Sequence, residues 1–68
     1  MINRVKIRRT ELDIGQEELA KLVGVTRQAI HSIEKGKYQP SVILAFKLAS
    51  VLKLLPNDLF ELERSDWL

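Results

Sequence analysis

Residues 16–36 read QEELAKLVGVTRQAIHSIEKG, and this stretch carries the clearest structural signal in the sequence. Its apolar residues recur at helical spacing, which predicts one helix over Gln16–Val23 and a second over Arg27–Lys35. Gly24 can adopt a positive φ without steric cost, so the chain can reverse there, and Thr26 is a good N-cap for the second helix. Two short helices joined by such a turn predict a helix-turn-helix.

The two helices of this motif have unlike faces. Apolar residues are expected inside, namely Leu19, Ala20, Leu22, Val23, Val25, Ile30 and Ile33. Long or polar residues are expected on the outer face of the second helix, namely Arg27, Gln28, His31, Ser32 and Lys35. A polar, basic and far-reaching helix face is what entry into the major groove of DNA requires.

Helical spacing continues on both sides of the motif. It predicts a first helix over Asn3–Leu12, a fourth over Val42–Leu52 with Ser41 as its N-cap, and a fifth over Pro56–Glu63. No run alternates with the period of two that marks a strand, and there is no linker or repeat. The sequence therefore predicts one all-α domain of five short helices over residues 1–68.

Length and composition limit the classes of protein. The 68 residues have a mass of 7.8 kDa, and 46% of them are hydrophobic and 29% charged, as in a folded domain. The absence of Cys excludes disulfides and thiolate metal sites, and the single histidine, His31, excludes a multi-His zinc site. No apolar run resembles a membrane span or a signal peptide, so a cytoplasmic location is expected.

The net charge of +2 is unevenly distributed. Residues 1–39 carry eight basic and five acidic side chains, whereas residues 40–68 carry three and four. The basic first part suggests an anionic partner. No cluster of titratable residues converges as in an enzyme: His31 and Ser32 point about 100° apart on a helix, and His31 with Glu34 supplies too few metal ligands. We therefore expect neither catalysis, nor a metal, nor a cofactor, nor a small-molecule ligand.

The chain resembles the phage-repressor and Cro-like helix-turn-helix family, also called xenobiotic-response-element type, over roughly residues 3–62. The resemblance rests on Gln16-Glu17-Glu18-Leu19-Ala20, Gly24-Val25-Thr26-Arg27-Gln28, Ile30, Ile33-Glu34, Gly36, Pro40-Ser41 and Asp58-Leu59-Phe60. It implies a five-helix fold like that of the lambda repressor. It also implies sequence-specific binding of double-stranded DNA, with Thr26–Lys35 as the recognition helix.

The family pattern assigns roles to individual residues. It implies that Arg27, Gln28 and Ser32 read base edges, and His31 lies on the same face, toward either DNA or solvent. It implies that Gln16 and Thr26 contact backbone phosphates, and that Lys35 and Lys37 add positive charge around the loop after the recognition helix. Tyr38 either donates to a phosphate or covers the loop. Arg9 is either a surface residue or, as the family pattern favours, the partner of Glu34 in a clamp between the first helix and the recognition helix.

Residues 51–68 are a candidate dimer interface. The apolar residues singled out there are Leu55, Phe60, Leu62, Trp67 and Leu68. The last two either fold back over Phe60 and Leu62 or contact a second subunit. Two positions depart from the family pattern nearby: Lys53 replaces the usual glycine at the end of the fourth helix, and Leu55 replaces a polar cap.

Together these features predict a small transcriptional regulator, a repressor that binds a pseudo-palindromic operator as a homodimer. Two alternatives stay open, an antitoxin-like role and a helical protein-interaction module without DNA binding of its own.

Overall fold

The computed structural model describes all residues from Met1 to Leu68. Five helices follow one another along the chain: α1 (Val5–Glu11), α2 (Gln16–Val23), α3 (Arg27–Glu34), α4 (Val42–Val51) and α5 (Pro56–Leu59). Two short strands, β1 (Ile2–Asn3) and β2 (Phe60–Glu61), flank the helical region, and a 3₁₀ turn over Arg64–Trp67 ends the chain. The predicted order of five helices is thus confirmed.

The helix starts follow from local capping chemistry. The Oγ of Thr26 accepts a hydrogen bond from the backbone N–H of Ala29 at 3.1 Å, and the Oγ of Ser41 accepts one from Leu44 at 3.1 Å. Each bond satisfies a donor that the first turn of a helix cannot pair internally. These two caps set the starts of α3 and α4, and the limits of α2, α3 and α4 agree with prediction to within one residue.

A single apolar core joins the helices. It consists of the buried residues Val5, Leu19, Ala20, Val23, Ile30, Ile33, Leu44, Leu48, Ala49, Leu52 and Leu59, all of which are apolar. Leu22, predicted to face inward, is exposed instead, because Leu19 and Val23 occupy the face of α2 that meets α3 and α4. Every helix therefore contributes at least one fully or almost fully buried side chain. The short helix α5 contributes its last residue, Leu59.

The first and fifth helices are shorter than predicted. Ile2 and Asn3 pair in antiparallel register with Glu61 and Phe60, and the backbone N–H of Arg4 donates to the carbonyl of Leu59 at 2.9 Å. Asn3, Phe60 and Glu61 belong to this two-stranded ladder, so the predicted start of the first helix and the predicted end of the fifth were wrong. The ladder connects the N-terminal segment to the end of α5 by hydrogen bonds.

The end of α4 contains a residue in the left-handed conformation. Lys53 has a φ of 59°, at the position where the family pattern has glycine. A side chain there costs roughly 1 kcal/mol, since the left-handed region crowds a Cβ. We expect Lys53→Gly to raise the free energy of unfolding by about 0.5–1 kcal/mol in urea denaturation.

A matched variant distinguishes this effect from a general effect of glycine. Lys47 is also exposed but lies within α4, so Lys47→Gly should destabilise the protein by about 1 kcal/mol. Equal destabilisation by both substitutions would contradict the strain assigned to Lys53.

Candidate nucleic-acid interface

The turn between α2 and α3 sets the orientation of α3 relative to α2. Gly24 has a φ of 77°, and the backbone N–H of Val25 donates to the carbonyl of Ala20 at 3.0 Å. Ala20 is buried where the two helices meet, and its small side chain permits their close approach. The expected sharp reversal at Gly24 is present. Because α2 is packed into the core, the orientation of α3 is fixed as well.

The outer side of α3 forms what we call the recognition face, defined by Arg27, Gln28, His31, Ser32 and Lys35. Ser32 is half-buried and the other four are exposed. Ile30 and Ile33 lie on the opposite side of the helix and are fully buried. The predicted division between an inner apolar and an outer polar side therefore holds for this helix.

Two clefts of about 350 Å³ each flank the recognition face. The first is lined only by polar side chains, those of Gln16, Arg27, Gln28 and His31. The second is lined by Thr26, Gln28, Ala29, Ser32 and Tyr38. Gln28 contributes to both clefts, so it stands on the ridge between them. The structure thus groups the four base-reading candidates with Gln16, Thr26 and Tyr38, three of the five phosphate candidates.

The other two phosphate candidates lie just beyond α3. Lys35 and Lys37 are exposed on the loop that leaves the helix, outside both clefts. Gly36, between them, has a φ of 75°, and the backbone N–H of Lys37 donates to the carbonyl of Ser32 at 3.0 Å. This turn closes the helix and holds both cations beside its C-terminal end.

Ion pairing divides the basic residues into two groups. Arg4, Arg8 and Arg9 each pair with a carboxylate, those of Glu61, Glu11 and Glu34 respectively. Arg27, Lys35 and Lys37 take part in no ion pair. The three arginines in and just before α1 are therefore paired within the protein, whereas the cations on and beside the recognition face are free to attract an anion. The other basic residues without an ion pair are Lys6, Lys21, Lys47, Lys53 and Arg64.

A buried carboxylate lies behind the recognition face. Glu34 accepts hydrogen bonds from Nε of Arg9 at 2.7 Å and from Nη2 of Arg9 at 3.3 Å, so the predicted pair is present and bidentate. The side chain of Glu34 is only 3% exposed and that of Arg9 13%. Arg9 also donates to the carbonyl of Ile14 at 2.9 Å. These bonds connect α1 and the loop after it to the C-terminal end of α3.

The sequence did not reveal the position of Gln16 in this arrangement. Its Nε2 donates to Oε1 of Glu34 at 2.9 Å, and its Oε1 accepts from Nε of Arg27 at 3.4 Å. Gln16 begins α2, and both of its partners lie on α3. No local signal could have shown contacts between residues 11 and 18 positions apart in the chain.

A second surface, which we call the apolar groove, has a volume of about 580 Å³. Its apolar lining residues come from α4, α5 and β2, from positions next to α4 and β2, and from the N-terminus: Met1, Pro40, Val42, Ala45, Phe46, Pro56, Phe60 and Leu62. None of its lining residues belongs to either cleft of the recognition face. Phe46 and Val42 are largely exposed there.

The structure distributes the five candidate interface residues unevenly. Phe60 and Leu62 line the apolar groove, whereas Leu55, Trp67 and Leu68 do not. Trp67 is 76% exposed and Leu68 98%, so neither folds back over the domain. Of the apolar run at residues 51–55, Leu52 is buried and only Leu55 is left as an exposed apolar side chain.

Charged groups hold the C-terminal turn in place. The α-amino group of Met1 lies 2.9 Å from a carboxylate oxygen of Glu63 and 2.9 Å from one of Asp66. Hydrogen bonds to Glu63 and Asp66 raise the pKa of this amino group above its ordinary value. The backbone N–H of Glu63 and the α-amino group lower the pKa of Asp66. These contacts bring the 3₁₀ turn against the start of the chain.

Two further features were sought, a metal-binding cluster and a membrane-spanning helix. No group of three or more His, Asp or Glu side chains is arranged to hold a metal ion. No helix is both long and apolar enough to cross a membrane, since the longest, α4, has ten residues.

Comparison with known proteins places this geometry in a family. The family described as "Helix-turn-helix" matches residues 5–59. The HTH-type transcriptional regulator YgzD of Bacillus subtilis is 42% identical over 66 residues, which is 97% of this chain and 100% of that protein. An HTH-type transcriptional regulator of Methanocaldococcus jannaschii is 48% identical over 60 residues, covering 88% of this chain and 91% of its own.

Solved structures agree with this assignment. The P22 c2 repressor, in complex with a synthetic operator, superposes with a TM-score of 0.82 at 33% identity, over 85% of this chain and 88% of its own. The restriction-modification controller protein C.AhdI of Aeromonas hydrophila superposes with a TM-score of 0.78 at 35% identity, over 84% and 86%. The chain therefore belongs to the helix-turn-helix family of DNA-binding transcriptional regulators, and it is not an enzyme.

Proposed function

We propose that the protein is a cytoplasmic repressor that binds a pseudo-palindromic site in double-stranded DNA as a homodimer, with the recognition face in the major groove. The observation that carries this proposal is the set of unpaired cations, Arg27, Lys35 and Lys37, on and beside an otherwise polar helix surface. Arg4, Arg8 and Arg9, by contrast, are each paired with a carboxylate. The similarity to the P22 c2 repressor, which was solved with an operator, supports the same binding mode.

Base reading is assigned to side chains on the recognition face. A guanidinium matches the O6 and N7 acceptors of guanine and a carboxamide matches N6 and N7 of adenine, so Arg27 and Gln28 suit these two bases. Ser32 can donate to or accept from either, and His31 lies beside Arg27 in the polar cleft. All four are placed on one helix face, as reading of successive base pairs requires.

Phosphate contacts are assigned to the rim of the same surface. Gln16 and Thr26 lie at the N-terminal ends of α2 and α3, where helix dipoles favour an anion. Lys35 and Lys37 lie beyond the other end of α3, and Tyr38 lines the second cleft with its hydroxyl available as a donor. Such contacts position the protein on the duplex without reading its sequence.

Dimerisation is assigned to the apolar groove, with a second copy of the chain as the occupant. Phe46, Val42 and Leu62 leave contiguous apolar surface exposed on a 68-residue protein that has few other means of stabilisation. A two-fold axis through this face leaves both recognition faces free, since the two surfaces share no residues. Leu55, Trp67 and Leu68 are exposed in the same C-terminal part of the chain and extend the candidate interface. Half-sites about 34 Å apart would then be read.

Selection of binding sites from random duplex DNA tests the proposal. We expect the wild-type protein to recover a motif with two-fold symmetry. Arg27→Ala and Gln28→Ala should each weaken binding to that motif by about 1–3 kcal/mol per site and relax the preference at one position in each half-site.

The matched control is Lys21→Ala, which removes an exposed positive charge from α2 away from both clefts and should recover the wild-type motif. Recovery of an unchanged motif by both Arg27→Ala and Gln28→Ala would reject the base-reading role. Failure of the wild-type protein to bind any duplex at low salt would favour a protein-interaction module or an antitoxin that needs its partner for binding.

A further inference from the structure

An exposed tryptophan is carried at the edge of the apolar groove. Trp67 is the only tryptophan in the chain; it is 76% exposed and does not line the groove. Its neighbour Asp66 has a carboxylate oxygen 2.9 Å from the α-amino group of Met1, and Met1 lines the groove. Leu62, at the start of the segment that leads to Trp67, also lines it. The indole therefore belongs to a segment beside the groove but does not fill it.

Hydrogen bonds fix the backbone of the turn that carries Trp67. The backbone N–H of Glu63 donates to a carboxylate oxygen of Asp66 at 2.7 Å, and the N–H of Asp66 donates to the carbonyl of Glu63 at 3.0 Å. The ion pairs of the α-amino group with Glu63 and Asp66 hold this turn against the start of the chain. Because the backbone is already ordered, covering the indole in an interface costs less conformational entropy than ordering a free chain end.

The groove has the size and the lining that an indole requires. Its volume of about 580 Å³ lies within the range of about 300–1,000 Å³ found for pockets that enclose small organic molecules. Phe46 and Phe60 line it, and their rings can make stacked or edge-to-face contacts with an indole. The indole N–H is a donor only, and Gln39 and Asn57, which also line the groove, carry acceptor oxygens.

Two-fold symmetry brings the tryptophan of one copy to the groove of another. In such a dimer the same surface of both copies meets, so a projecting group on one copy faces the equivalent surface of the other. A surface that carries an exposed indole and a groove side by side is therefore self-complementary, and each contact is made twice. A covered indole buries about 150–250 Å², a large share of the roughly 800 Å² per partner in a stable interface.

We propose that Trp67 of each subunit inserts its indole into the apolar groove of the other subunit, so that two reciprocal contacts close the dimer. This inference rests on the homodimer of the proposed function, and it names the side chain that occupies the groove. A tryptophan held in a pocket at the centre of an interface is typical of the few residues that carry most of the binding energy.

The intrinsic fluorescence of the full chain tests this contact, because Trp67 is its only tryptophan. Emission spectra and acrylamide quenching are recorded over a dilution series of about a hundredfold, and analytical ultracentrifugation of the same samples gives the fraction of dimer. We expect the emission maximum to move to shorter wavelength, and quenching to weaken, in proportion to the fraction of dimer, because the indole leaves water.

Substitution of the tryptophan measures its contribution to dimerisation. Trp67→Ala should raise the dissociation constant of the dimer by at least about thirtyfold, the effect of losing one such residue. The control Ile7→Ala removes a similarly exposed side chain from α1, outside the groove, and should leave the dissociation constant unchanged. Circular dichroism melting verifies that both variants are folded.

A mixture of two variants shows which copy supplies the groove. Trp67→Ala keeps the groove but has no indole, whereas Phe46→Glu keeps the indole but has a charge in its own groove. Each variant alone should be largely monomeric. Adding Trp67→Ala, which has no tryptophan, to Phe46→Glu should move the emission of Phe46→Glu to shorter wavelength, as heterodimers form with one intact contact.

A wild-type dimer whose tryptophan emission equals that of the monomer refutes the insertion, while the proposed function stands. Short-wavelength emission from the monomer refutes it as well, because the indole then lies in the groove of its own chain. A wild-type protein that is monomeric at every concentration refutes the homodimer of the proposed function, and the insertion with it. Site selection from random duplex DNA tests DNA binding independently of the fluorescence.

Discussion

Replacing Arg9 by alanine is expected to destabilise the protein by about 3–5 kcal/mol. The substitution removes two of the three side-chain donors to Glu34 and leaves a carboxylate that is only 3% exposed, with Gln16 as its one remaining side-chain partner. For a domain of this size, 1 kcal/mol corresponds to roughly 4–8 °C in melting temperature. The midpoint of thermal unfolding should therefore fall by more than about 10 °C, as measured by circular dichroism.

Two controls separate this effect from the loss of any arginine. Arg4 pairs with Glu61 on the surface, where both side chains are substantially exposed, so Arg4→Ala should cost no more than about 1 kcal/mol. The double variant Arg9→Met/Glu34→Leu removes both charges and should recover much of the stability lost in Arg9→Ala. Melting of Arg9→Ala at the wild-type temperature would show that the ion pair does not stabilise the fold.

Placing a charge in the apolar groove is expected to abolish dimerisation and to weaken operator binding by about a hundredfold or more. Phe46→Glu puts a carboxylate where the proposed interface excludes water, which disfavours association. Binding of two linked recognition faces gains about 10²–10⁴ over one, and this gain is lost in a monomer. Analytical ultracentrifugation and anisotropy on the selected operator measure the two effects.

The matched control is Ile7→Glu. Ile7 is 62% exposed on α1 and Phe46 is 61% exposed on α4, but only Phe46 lines the groove. Ile7→Glu should therefore remain dimeric and bind like the wild type. A monomeric wild-type protein whose melting does not change across a hundredfold dilution would contradict the dimer altogether.

The helix-turn-helix could be predicted because its signals are local. Thr26 caps α3 and Gly24 adopts the left-handed conformation, and both effects act within a few residues of the chain. The pair formed by Arg9 and Glu34 was expected from the family resemblance, since 25 residues separate the partners and no spacing rule connects them.

The two strands escaped prediction for a physical reason. Each has two residues, too few to show alternation, and each exists because it pairs with a segment about 58 residues away. The true start of α1 depends on the same pairing, since Asn3 is held in the ladder and cannot begin the helix. Tertiary contacts set these boundaries, whereas propensity set those of α2 and α3.

The apolar groove could be predicted only in part. Helical spacing favours Leu44, Leu48 and Ala49 as inner residues of α4, and all three are buried. The helix reads VILAFKLASV and is apolar on almost every side, so its sequence does not show that the exposed side chains of Val42 and Phe46 line a groove. The candidate interface consequently includes α4, in addition to part of the C-terminal segment that the sequence indicated.

The salt dependence of binding tests whether the recognition face binds DNA through its unpaired cations. Fluorescence anisotropy would follow the wild-type protein on its selected operator and on a scrambled duplex between 50 and 200 mM salt. With three unpaired cations on and beside each of the two recognition faces of a dimer, we expect a slope of log K against log salt of about −5, or roughly a thousandfold loss of affinity over this range. The operator should bind more tightly than the scrambled duplex throughout. Binding that does not depend on salt, or equal affinity for the two duplexes, would contradict sequence-specific binding through these cations.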